Sequence, residues 1–232
     1  MSLLVVQHQD SCPPGRVGQW LTEAGVELDV RRPYAGDALP DDLSGHDGLL
    51  VLGGEMSCGD DEAAPWLPAV RELIRTAAKG ATPTLGICLG HQLASVALGG
   101  EVAVNPAGRT LGVLTVSPTP ELAQDALFAT AQGGPVAQWN NDVVTRLPDG
   151  AVRLADNERG DLLLARLAPA VWGVQGHPEA DLHVVTGWAV KDSGSPAVVG
   201  IDLPAVLGAV KDAQPQVDAT WRPVAQAFAA LL

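Results

Sequence analysis

The chain has 232 residues, a formal net charge of −13 and 47% hydrophobic residues. That length suits one well-buried domain over residues 1–232 and is short for two enzymatic ones. The acid excess argues against nucleic acid or an anionic membrane as partner, because phosphates would be repelled, and its bland consequence is solubility.

Two Phe and one Tyr are present, so the core must come from small and branched aliphatics plus some of the six Trp. Cys12, Cys58 and Cys88 are too few and too scattered for a disulfide framework, and no C-x-x-C spacing suggests zinc. The expectation is a reduced, cytoplasmic protein with no metal and no cofactor. The N-terminus, Ser2 to Gln7, lacks a basic region and a long apolar core and reads as a first strand rather than a signal peptide. No apolar run approaches the length of a membrane span.

In chain order, Leu3 to Gln7 predicts a strand, Gly18 to Ala24 a helix, Val26 to Arg31 a second strand and Gly48 to Leu52 a third. Pro65 opens a helix through Lys79, with Trp66, Leu67, Val70, Leu73 and Ile74 at helical spacing. Leu85 to Ile87 is the fourth strand, and His91 to Leu98 a helix that follows at once. Strand and helix alternating in this way imply a parallel sheet covered on both faces, with its site beyond the carboxyl ends of the strands.

After Gly99-Gly100 the texture changes to short strands joined by turns: 101–104, 112–116, 136–139, 151–155, 162–167 and 171–175. This portion leans antiparallel. The tail is helical, with Val217, Trp221, Val224, Phe228 and Leu231 forming an apolar stripe that reads as core packing. The fold expected is α/β, a mainly parallel central sheet with helices on both faces and a flanking antiparallel portion.

Two clusters carry chemistry. In Gly86-Ile87-Cys88-Leu89-Gly90-His91-Gln92 a thiol stands on a tight strand-to-helix turn between two glycines, the device that presents the serine of G-x-S-x-G hydrolases. The helix N-terminus behind it favours thiolate and offers N–H groups to an anion. Far along the chain, Gly173 to Glu179 holds His177-Pro178-Glu179. Thiol, histidine and carboxylate are the three parts of a Cys-His-Glu acyl-transfer triad.

These clusters, with Gly53-Gly54 after the third strand, resemble the class I, triad-type glutamine amidotransferases, and in particular stand-alone members similar to the glutaminase half of GMP synthase. The resemblance implies a flavodoxin-like core and a catalytic set of Cys88, His177 and Glu179. It implies an oxyanion hole from the backbone N–H groups of Gly54 and Leu89, and substrate contacts from Gln92, Gly53, Asn141 and Asp142. The implied reaction is hydrolysis of the glutamine side-chain amide through a cysteine thioester, giving glutamate and ammonia, with a separate synthetase as acceptor. Two alternatives stand beside it: a hydrolase of another γ-glutamyl amide or peptide, and a non-catalytic regulatory protein on the same scaffold.

The remaining residues have bland readings. His91 follows the thiol too closely to act as base and is expected to be structural. His8, His46 and His183 show no partner pattern and read as surface or loop residues. Cys12 reads as an unremarkable loop thiol and Cys58 as incidental. Relatives carry a bulky aromatic where Gly176 stands, which implies a roomier pocket beside the thioester.

Overall fold

The computed structural model describes residues 1–195 and 198–232. Its largest element is an eight-stranded mixed sheet. Strands β1 (Ser2–Val6), β2 (Glu27–Arg31), β3 (Gly48–Val51) and β4 (Thr84–Ile87) are parallel, in the order β2-β1-β3-β4. Strand β12 (Val171–Val174) adds parallel to β4, and β11 (Leu162–Ala168), β10 (Val152–Asp156) and β7 (Ser117–Pro118) continue the sheet antiparallel. Two separate ribbons pair β5 (Glu101–Val104) with β9 (Asp142–Arg146), and β6 (Thr110–Thr115) with β8 (Pro135–Asn140).

The strand pattern explains the layers. Side chains alternate across a strand, and every residue of Leu3 to Val6 is fully buried because both faces are covered. Leu3 and Val5 pack with Trp20 and Leu21 of helix α1 (Gly15–Glu23) and with Trp221 and Phe228 of helix α5 (Leu203–Leu231). Leu4 and Val6 pack on the other face with Val70, Leu73 and Ile74 of helix α2 (Leu67–Gly80) and Leu93 of helix α3 (Leu89–Ala97). Continuous apolar strands are what a parallel sheet sandwiched between helices requires.

Some expectations shift. Helix α2 begins at Leu67, with Pro68 in its first turn, rather than at Pro65. The tail stripe packs as expected through Val217, Trp221, Val224 and Phe228, but Leu231 surfaces. Helix α4 (Leu182–Asp192) was not anticipated from its β-branched, glycine-containing sequence. The Asp181 carboxylate starts it, accepting a 3.0 Å bond from the Val184 N–H. Residues 139–142 form the end of β8, a turn at Asn141 and the start of β9.

Parallel register brings strand ends together. Val6 lies beside Val51, Val51 beside Gly86, and Ile87 beside Val174. The segments leaving β1, β3, β4 and β12 therefore emerge side by side at one edge of the sheet.

Candidate active site

Cys88 occupies the turn between β4 and α3 with φ 51° and ψ −105°. A side-chain-bearing residue in this region is strained and needs its surroundings to hold it. The Cys88 N–H donates to the Val174 carbonyl at 2.8 Å, tying the turn to β12. The glycines on either side are required by packing. A Cβ on Gly86 would lie 2.5 Å from the Gly90 backbone, and one on Gly90 would lie 2.0 Å from the Val51 carbonyl oxygen.

His177 follows β12, where its N–H donates to the Ala137 carbonyl of β8 at 2.7 Å. Its ring Nδ1 meets Glu179 Oε1 at 2.8 Å, and both residues are buried. The Glu179 carbonyl in turn accepts from the Arg16 N–H at 2.9 Å, so the start of α1 holds the acid. Gly15 makes this approach possible: its φ is +49° and a Cβ there would lie 2.2 Å from the same carbonyl oxygen. The Trp188 ring of α4 lies against His177, with centroids 4.6 Å apart.

Burial by itself would lower the His177 pKa, but the neighbouring Cys88 and Glu179, the latter also through its 2.8 Å hydrogen bond, lift it to about 10. An upward shift is the direction in which a thiolate–imidazolium pair moves its histidine.

Cys88 and His177 line one open cleft. Gln92, Asn141 and Asp142 line it too. Gln92 Nε2 donates to the Asp142 carbonyl at 3.0 Å, and Asp142 Oδ2 accepts from Ser57 Oγ at 2.7 Å. Gly54 lies on the wall. Among the described residues neither the Gly54 nor the Leu89 N–H has an acceptor. Gly53 sits behind the histidine, where a Cβ would be 3.1 Å from His177 Cε1.

The structure refines several of the bland readings. His8 is buried, not at the surface: Trp66 Nε1 donates to its Nδ1 at 3.0 Å, and burial lowers its pKa to about 4. His46 is partly buried against Asp29, 3.0 Å away. Cys12 is a buried cleft residue, its thiol pKa pushed up by burial and then by the charges of Glu179 and Cys88. Cys58 is also buried. Gly176 does not open the pocket: a Cβ there would meet Val136 at 2.7 Å, so the glycine lets the chain pass close under β8. His91 is structural as expected, fully buried against Gly173, with its pKa lowered by burial to about 3.

The sequence reading missed Gln9, Gln175, Trp188, Arg109 and Asp192. Gln175 Nε2 lies 3.6 Å from Cys88 Sγ, and Gln9 Nε2 lies 3.2 Å from Cys12 Sγ. Arg109 and Asp192 pair at 2.7 Å on the cleft wall. Gln175 sits two residues before His177 and could have been read as a neighbour of the site. The others come from segments with no motif.

The chain belongs to the glutamine amidotransferase class-I family, whose model matches residues 16–186. It is 31% identical over 192 residues to the glutamine amidotransferase-like protein YfeJ of Salmonella typhimurium, covering 81% of this chain and 79% of that one. It is 26% identical over 169 residues to gamma-glutamyl peptidase 5 of Arabidopsis thaliana, covering 70% of this chain and 66% of the relative. A solved glutamine amido transferase from Methylobacillus flagellatus superposes with a TM-score of 0.88 at 26% identity, over 100% of this chain and 95% of that one. Among the described residues no helix is long and apolar enough to cross a membrane.

Proposed function

We propose that the chain hydrolyses a γ-glutamyl amide through a thioester on Cys88. The observation that carries the reading is one cleft holding a strained cysteine at a helix N-terminus and a buried histidine bonded to Glu179 at 2.8 Å. Cys88 attacks the amide carbon. The tetrahedral oxyanion is held by the N–H groups of Gly54 and Leu89, an interaction whose loss typically costs about 3–4 kcal/mol. His177 gives its proton to the departing nitrogen as the C–N bond breaks, then takes one from the water that cleaves the thioester. Glu179 fixes the ring's tautomer and orientation. Gln92, Asn141 and Asp142 hold the glutamyl end.

With glutamine as substrate the amine is ammonia, passed to a separate synthetase. The isolated chain is then a slow glutaminase that speeds up when the acceptor binds. A second reading, hydrolysis of a substituted γ-glutamyl amide or peptide, is favoured by the aromatic wall formed by Trp188 and Trp139. The Arabidopsis relative's name points the same way. A reducing compartment such as the cytoplasm suits three free thiols.

Product analysis with glutamine and with γ-glutamyl amides, in wild type and Cys88→Ala, tests the proposal. Thiol-dependent release of glutamate from any of them supports it. Equal release by Cys88→Ala contradicts it, and fast partner-independent turnover of glutamine removes the need for an acceptor.

A further inference from the structure

His177 must stand within hydrogen-bond reach of the departing nitrogen, so whatever that nitrogen carries projects toward the side chains flanking His177. One of them is Trp188, whose ring centroid is 4.6 Å from that of His177. Beyond it comes Trp139, its ring centroid 6.1 Å from that of Trp188, with the Arg109 guanidinium 5.8 Å from the Trp139 ring centroid. Both indoles line the cleft, Trp188 nearly covered and Trp139 half-buried.

Both rings are fixed by their N–H groups. Trp188 Nε1 donates to the Ser11 carbonyl at 2.8 Å, and Trp139 Nε1 to Asp192 Oδ2 at 2.8 Å. Arg109 holds the same carboxylate at 2.7 Å. This is a preorganised apolar wall, and rigid surfaces bind with little ordering cost. Ammonia has no apolar surface to place against it.

From this geometry, and resting on the thioester reading above, we propose that Trp139 and Trp188 form a leaving-group subsite. Its substrate class is γ-glutamyl amides of primary amines carrying an apolar or aromatic group. The steps balance as for glutamine: Cys88 sulfur replaces nitrogen on the carbonyl carbon, and His177 supplies the proton that makes the free amine. Water then restores the thiol and leaves glutamate.

The test measures kcat/KM for γ-glutamyl-4-nitroanilide and for glutamine in wild type, Trp139→Leu and Trp139→Phe. The anilide-to-glutamine ratio should fall about fivefold or more in Trp139→Leu and by less than that in Trp139→Phe, which keeps an aromatic face. A smaller fall in Trp139→Leu overturns the subsite while leaving the triad standing. No Cys88-dependent turnover of either substrate overturns the thioester reading and the subsite with it. A readout independent of turnover, and of the Leu variant's folding, is protection of wild-type Cys88 from iodoacetamide by product amines. Benzylamine should protect at a lower concentration than methylamine, and equal protection overturns the proposal.

Discussion

Gly90 lies so close to Val51 that a Cβ on it would stand 2.0 Å from the Val51 carbonyl oxygen. The first turn of α3 therefore presses directly on the end of β3, and Cys88 is clamped between β4 and that contact. Because the obstacle is backbone, it cannot swing aside. Gly90→Ala should destabilise the fold by about 1–3 kcal/mol or more and shift the thiol. Urea unfolding followed by tryptophan fluorescence measures the first effect, and alkylation rate of Cys88 the second. A variant as stable and as reactive as wild type would contradict the packing argument.

The charge state of His177 makes a prediction about activity. Its pKa is raised to about 10 by the charges of Cys88 and Glu179 against the opposing effect of burial. In the proposed mechanism the proton it gives to the leaving amine is then lost only at high pH, and kcat/KM should hold through neutrality and fall near the upper value. Removing the carboxylate charge removes part of the support for the imidazolium. Glu179→Gln should move the alkaline limb down by about 1–3 units, with a milder loss of kcat than His177→Asn. An unmoved limb would mean that another group sets it.

Stability should respond to pH on both sides of the ordinary histidine value of 6.5. Burial lowers His8 to about 4 and His91 to about 3, so the folded protein refuses protons that the unfolded chain accepts. Stability from these groups is full above pH 6.5 and is lost as pH falls toward those values. His177 acts in the opposite sense: its contribution is full below 6.5 and is lost as pH rises toward about 10. These three groups together place the stability maximum near 6.5. His91→Leu removes an imidazole whose two nitrogens have no hydrogen-bond partner among the described residues, so its urea midpoint should fall less than that of wild type between pH 6.5 and 4.5. Equal falls would contradict the buried, neutral assignment.

The parallel half of the fold was legible because its strands are continuous apolar runs and its helices carry a regular stripe. The turn that carries Cys88 in the candidate site was legible because strain and close packing leave a local mark, as at Gly86, Cys88 and Gly90. What escaped was set by distant contacts. Trp188 reaches the site only because α4 folds back so that its N–H meets Ser11, a partner 177 residues away. Gly15 stands in no motif, yet it makes room for the carbonyl of Glu179. Gly176 invited the opposite error: its missing side chain looked like space for substrate, but Val136 of β8 occupies that space. The burial of loop residue His8 has no local signal, because its bond to Trp66 is a distant contact.

The most direct measurement is covalent labelling with a diazo-ketone analogue of glutamine, followed by peptide mapping and assay of Cys88→Ala. The analogue requires a nucleophile that is both reactive and placed where the glutamyl group binds. Cys12 and Cys58 fail the first condition, since burial pushes both thiols up. One adduct on Cys88, with loss of amide hydrolysis both on labelling and in Cys88→Ala, is the predicted result. Label on Cys12 or Cys58 with Cys88 free, or amide hydrolysis surviving in Cys88→Ala, would contradict the account.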